Sequence, residues 1–254
     1  MAKIVSFSNQ KGGVGKTTSC VNIAAQIANK GKRVLIVDLD PQGNATSGLG
    51  LSKSKIKKTV YDILIGRAET KDAIIKTKFK NLSIIPATID LAGAELELYD
   101  LEDAESFTDK LPLAPVADDY DYIFIDCPPS LGMLTVKALS TSDGVVIPMQ
   151  CEFYSLEGMS QLLNTVKKIR QMYNPNLQIV GILLTMYNGR LTLTNQVVAE
   201  LRKYYQDLLF KVPISRTVRL SEAPSYGAPI CYHDPYGKGS LEYAAVAKEL
   251  MLRI

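Results

Sequence analysis

No apolar run in these 254 residues approaches the roughly 18 needed to cross a bilayer. The N-terminus shows no basic, apolar leader either, so neither a membrane-spanning nor an exported protein is expected. Histidine is almost missing, with His233 the only one. The four cysteines, Cys20, Cys127, Cys151 and Cys231, lie far apart and form no Cys-x-x-Cys pair, which removes the usual zinc and redox spacings. Isolated thiols without an export signal fit the cytoplasm, where they act as small buried hydrophobes. Repeats, long linkers and low-complexity tracts are absent as well, so a single domain over residues 1–254 is expected.

At 46% hydrophobic, a chain of this length buries a full core. Its net charge of +3 is small but unevenly spread. Residues 151–254 hold twelve Lys/Arg against eight Asp/Glu, whereas Asp90 to Asp121 contains eleven acids and one base, Lys110. From Lys53 to Lys80 nine bases face Asp62, Glu69 and Asp72. Such runs are ordinarily solvated faces, yet the asymmetry lets one side of the protein meet a polyanion.

Short β-branched runs alternate with helical stretches. Strands are expected at Ile4–Phe7, Val34–Val37, Leu82–Ile85, Tyr122–Ile125, Val145–Ile147, Ile179–Leu184 and Leu209–Val212. Helices are expected at Thr18–Asn29, Leu91–Tyr99, Thr135–Ser140, Leu156–Met172, Thr194–Tyr205 and Ser240–Leu252. Most strand candidates are continuously apolar, as parallel strands covered on both faces must be. The alternation predicts an α/β fold: a doubly wound, mostly parallel sheet with helices on both faces. Ligands on such sheets sit at the carboxyl ends of the strands.

The run Lys11-Gly12-Gly13-Val14-Gly15-Lys16-Thr17-Thr18 follows the first strand directly. Glycines let successive N–H groups turn inward onto phosphate oxygens, and the following helix adds its positive end. Lys16 would reach the β- and γ-phosphates, and the Thr17 hydroxyl would join the coordination of Mg²⁺. The usual pattern wants a glycine where this chain has Gln10, and the loop carries a second lysine, Lys11. One ammonium suffices for one triphosphate, and a lysine on the outer side of the loop could reach across a two-fold axis to a partner's phosphates.

Two later strands end in carboxylates. Val34–Val37 runs into Asp38-Leu39-Asp40-Pro41-Gln42-Gly43-Asn44, which puts Asp38 and Asp40 on one side of an extended chain. A carboxylate there can orient a water for in-line attack. Tyr122–Ile125 runs into Asp126-Cys127-Pro128-Pro129-Ser130, where Asp126 would hold Mg²⁺ through water.

Together these residues resemble the ParA/Soj ATPases, in the MinD-like branch of deviant Walker A P-loop proteins. The resemblance covers nearly the whole chain, including Asn9–Thr18, Asp38–Gly50, Asp126–Ser130 and Val218-Arg219-Leu220-Ser221-Glu222-Ala223-Pro224. It implies an ATP- and Mg²⁺-dependent ATPase that forms a nucleotide-sandwich homodimer. In that dimer Lys11 would contact the partner's phosphates, Gly12 to Thr18 would cradle ATP, and Asp40 would position water. Asp126, Thr17 and Asp38 would attend the metal. The resemblance also implies sequence-independent binding of duplex DNA by the dimer, through Arg190 and Arg219 with Arg216 and Lys238 beside them. Hydrolysis stimulated by a ParB-type centromere-binding protein would release the DNA, so a cytoplasmic, nucleoid-associated segregation ATPase is expected, with no membrane partner.

Two departures stand out. Many relatives read Ile-Pro-Arg-Asn-Val-Arg where this chain has Ile214-Ser215-Arg216-Thr217-Val218-Arg219, so Ser215, Thr217 and Asn188 are the base-pocket candidates. Ala228 stands where a lysine is common. The alternative is a MinD-like membrane-associated switch positioning the division site. It would need a basic amphipathic C-terminal helix, and Ser240–Ile254 reads instead as a docked one. An iron–sulfur relative would need paired cysteines that the spacing does not supply.

Overall fold

The computed structural model describes residues 1–94, 97, 110–152 and 155–254. Seven strands form one sheet: β1 (Lys3–Phe7), β2 (Val34–Asp38), β3 (Ile75–Lys76), β4 (Leu82–Ile85), β5 (Tyr122–Asp126), β6 (Gly144–Gln150) and β7 (Gln178–Thr185). Their order is β3-β4-β2-β5-β1-β6-β7, and only the β3–β4 pair is antiparallel.

Why these runs make a doubly covered sheet shows in how they alternate. Val34 and Ile36 of β2 join one apolar cluster, and Leu35 and Val37 join another on the opposite face. That is the period of two of a pleated strand, with both faces apolar. On the first face lie helix α1 (Lys16–Asn29) and the C-terminal helix. Ile23 and Ile27 pack there with Tyr243, Val246 and Leu250. The opposite face is covered by helices over Met133–Thr141, Ser155–Met172 and Thr192–Tyr205. Leu162, Val166, Val197 and Leu201 from the last two cover Val145, Ile147 and Ile182.

Elements shared with the sequence reading end within three residues of their expected positions. The strand expected at Leu209–Val212 does not form. Leu209 makes one isolated bridge to Ile182, Phe210 donates to the Ile182 carbonyl and only Ile214 to the Leu184 carbonyl, so the chain bulges at Lys211–Val212 instead of continuing a regular ladder. Missed elements are short: β3 and single helical turns such as Asn44–Gly48, Val60–Leu64 and Val218–Glu222. Five residues cannot display a 3.6-residue period. The helix expected at Leu91–Tyr99 falls partly outside the described residues.

The register then sets the site. Phe7 of β1 and Asp38 of β2 both pair with Asp126 of β5, so three loops leave the sheet side by side at its carboxyl edge.

Candidate nucleotide-binding site

From β1 the chain enters the glycine loop over a buried Asn9. Its amide donates to the Pro148 carbonyl at 2.8 Å, and its oxygen accepts from the Lys11 N–H at 3.0 Å. Gly13 and Gly15 take φ of +72° and +84°, a region that side chains avoid. Gly15 is also the N-cap of α1, and no side chain caps that helix and no acid lies in its first turn. Its N–H groups therefore stay open towards an anion. Two side chains from neighbouring strands hold the loop in place. The Thr185 hydroxyl donates to the Val14 carbonyl at 2.7 Å, and the Gln150 amide to the Gly13 carbonyl at 2.8 Å.

The two lysines part company. Lys16 is buried, and its ammonium donates to the Lys11 carbonyl at 3.0 Å. Desolvation lowers its pKa, opposed chiefly by the Asp126 carboxylate. Lys11 instead turns outward and is ion-paired with Glu152. Beside the loop opens a cavity of about 480 Å³, lined by Gly12, Gly13, Lys16, Thr17, Asp40 and Pro129 among others. Asp40 accepts from the Gln42 N–H at 2.9 Å, and the Lys53 ammonium holds the Gln42 carbonyl.

Asp126 and Asp38 are both fully buried but differ in chemistry. Neither oxygen of Asp126 has a hydrogen-bond partner. Burial and then the nearby Asp38 push its pKa well up, while the Thr17 hydroxyl pulls the other way. A dry carboxylate left unpaired beside a lysine and a threonine is what a cation bridging to phosphate would use, so the residues fit Mg²⁺, which needs few protein oxygens. Asp38 is occupied. It accepts from the Thr46 N–H at 2.8 Å, the Thr46 hydroxyl at 2.7 Å and the Asp40 N–H at 3.3 Å. Burial still lifts its pKa to about 6. These contacts tie Asp38 to the loop that bears Asp40.

A second cavity of about 240 Å³ adjoins the first, sharing Gly15, Thr18, Met186 and Pro224. Ser215 and Thr217, two of the three base-pocket candidates, line it. The Ser215 N–H and hydroxyl both donate to Glu242, at 2.8 and 2.7 Å. Asn188 lines neither cavity, and its oxygen accepts from the Arg190 N–H at 3.1 Å, closing a turn. Sequence reasoning missed Met186, which lines both cavities with φ of +49°, a strained value for this residue type. Nothing local signals it. Pro224 sat inside a recognised motif without a role being read.

The expected DNA-contact residues Arg190, Arg216, Arg219 and Lys238 are all exposed, on segments around this second cavity. Arg219 pairs with Glu222 at 3.3 Å, and Lys238 lies 3.8 Å from Glu242. His233 faces the same Glu222 from 3.9 Å and stacks on Tyr226.

The glycine loop at the head of α1, on a parallel sheet with carboxylates at the next strand ends, defines a P-loop nucleotide hydrolase. A family profile described as an AAA domain matches residues 2–179. The sporulation initiation inhibitor protein Soj of Bacillus subtilis is 54% identical over 250 residues, 98% of each chain. The chromosome-partitioning ATPase Soj of Treponema pallidum is 48% identical, covering 100% of this chain and 98% of its own. Among solved structures, cobyrinic acid a,c-diamide synthase from Mycobacterium smegmatis, with bound ADP and magnesium, superposes with a TM-score of 0.84 at 36% identity. That match covers 98% of this chain and 93% of the other. This chain belongs to the Soj/ParA family of chromosome-partitioning ATPases. Among the described residues no helix is long and apolar enough to cross a membrane.

Proposed function

We propose that the chain is a single-domain DNA-segregation ATPase whose ATP-bound homodimer binds duplex DNA without sequence preference, on the nucleoid, and lets go on hydrolysis stimulated by a ParB-type partner. One observation carries this reading: a single loop holds one lysine inside its own cavity and a second turned away from it. A lone nucleotide needs only the first. The second suits phosphates presented by another protomer.

Within the protomer, Lys16 and the open N–H groups from Gly12 to Thr18 would hold the β- and γ-phosphates. Thr17 and Asp126 would hold Mg²⁺, directly and through water. Bound Mg²⁺ neutralises charge that develops on the phosphate oxygens. Asp40, at the cavity wall, would orient the attacking water, with Asp38, Thr46 and Lys53 fixing its loop. Ser215 and Thr217 would line the base pocket with Met186. Arg190, Arg216, Arg219 and Lys238 would meet backbone phosphates, a contact that carries no sequence information. The membrane-switch alternative gains less support, since the C-terminal helix buries Tyr243, Val246, Ala247 and Leu250 in the core.

The dimer is tested by mass in solution. With hydrolysis slowed by Asp40→Ala, ATP and Mg²⁺ should convert the 27.9 kDa chain into a species of twice that mass, and ADP should not. Adding Lys11→Ala should leave ATP binding intact and the protein monomeric. A Lys11→Ala protein that dimerises as well as its parent would sink the cross-subunit role.

A further inference from the structure

A second basic surface lies on two turns at the amino ends of the strands. Lys30, Lys32 and Arg33 occupy the turn from α1 into β2, and Lys76, Lys78 and Lys80 run from β3 through the turn into β4. The turns are tied together. The Asn81 amide donates to the Ala28 carbonyl at 3.3 Å, and the Val34 N–H to the Asn81 carbonyl at 2.9 Å. All six cations are exposed. Among the described residues only Arg33 has an ion-pair partner, Asp121 at 3.3 Å. Elsewhere Lys58 is paired with Asp72 and Lys203 with Glu200. Between the two turns is a depression of about 660 Å³, lined by Arg33, Lys76, Lys78 and Lys80, with Asp119 as its carboxylate.

Helix-end charge does not account for this cluster. Lys30 and Lys32 gain from the negative end of α1, but Lys76, Lys78 and Lys80 lie at no helix end. Leaving several like charges unpaired costs self-repulsion, which a polyanion would relieve.

The cluster is also continuous with the segment carrying Arg219. The Lys78 ammonium lies 5.3 Å from the centre of the Phe79 ring, which packs on Tyr232 at 4.6 Å. Tyr232 precedes His233, which faces Glu222, the partner of Arg219. From the other side, the Lys78 ammonium lies near Gly50, whose backbone touches Gly227 beside Tyr226. We infer that Lys76, Lys78 and Lys80, with Lys30, Lys32 and Arg33, form a second phosphate-contact surface for duplex DNA, adjoining the Arg219 surface. This inference rests on the DNA-binding reading above. It also divides the basic Lys53–Lys80 stretch, since Lys53 serves the catalytic loop and Lys58 is paired.

The test is duplex binding against salt, for the ATP-bound protein and for Lys76→Ala/Lys78→Ala/Lys80→Ala. Affinity for an arbitrary duplex at about 0.1 M salt should fall roughly tenfold or more, and the slope of log affinity on log salt should drop by about 2–3. Basal hydrolysis and the thermal midpoint should stay unchanged. Unaltered affinity and slope in the triple variant, with binding still lost in Arg219→Ala, would overturn this inference and spare the DNA-binding reading. No duplex binding by the unmodified protein in any nucleotide state would overturn both. Loss of binding to phosphatidylserine vesicles instead of duplex would reassign the surface to membranes and overturn the inference.

Discussion

Asp126→Asn should make the nucleotide-free protein more stable while abolishing its response to Mg²⁺. The carboxylate is fully buried with no close hydrogen bond to either oxygen, and the Thr17 hydroxyl and Lys16 ammonium offset the cost of its charge only in part, so its pKa stays well up. A neutral amide of the same shape removes about 1–3 kcal/mol of that cost, or roughly 2–6 °C of thermal midpoint for a chain this long. Nucleotide with Mg²⁺ should then raise the midpoint of the unmodified protein strongly and that of the variant little beyond nucleotide alone. The pH dependence has a definite sign. Asp126 and Asp38 both have folded pKa values raised above the unfolded value near 4, Asp38 to about 6. Stability from such groups is present below the unfolded value and is lost as pH climbs through the folded one. The gap between variant and unmodified protein should therefore narrow on moving from pH 8 to pH 5. A constant gap, or a variant less stable at pH 8, would mean that Asp126 already has a partner in the fold.

Asp40→Ala should lower ATP hydrolysis by about 10²–10⁴ while changing ATP affinity by less than about threefold. Asp40 lines the larger cavity, and the side-chain bond recorded for it is the one from the Gln42 N–H. Its removal takes away a group acting on the attacking water, whereas phosphate binding depends on the glycine loop and Lys16. Single-turnover hydrolysis and nucleotide titration separate the two effects. Equal losses of rate and affinity would make Asp40 a binding residue instead.

Much of this was legible because it is local. The apolar runs of β1, β2, β5 and β7 fix a covered parallel sheet, and the spacing from Lys11 to Thr18 fixes the loop leaving β1. Strand order, which sets Asp38 and Asp126 side by side, is not local and was not read from the sequence. What the sequence did not show is where distant segments meet. Whether Asp38 was open to a metal depended on Thr46, eight residues on, whose hydroxyl also accepts from the Ala87 N–H. Met186 reaches both cavities through a left-handed backbone that no pattern announces. Asn188, two residues later, turns away to close its own loop. Leu209–Val212 has the apolar content of a strand, yet after Phe210 bonds the Ile182 carbonyl the chain bulges, and the next bond to β7 is made by Ile214 to Leu184.

The measurement that bears most directly on the account is binding to a fluorescent duplex of arbitrary sequence, at one fixed salt concentration, with ATP, with ADP and without nucleotide. Asp40→Ala holds the ATP state during the titration. The account predicts tight binding with ATP alone, lost on adding Arg219→Ala. Equal binding in all three states, or none in any, would contradict it.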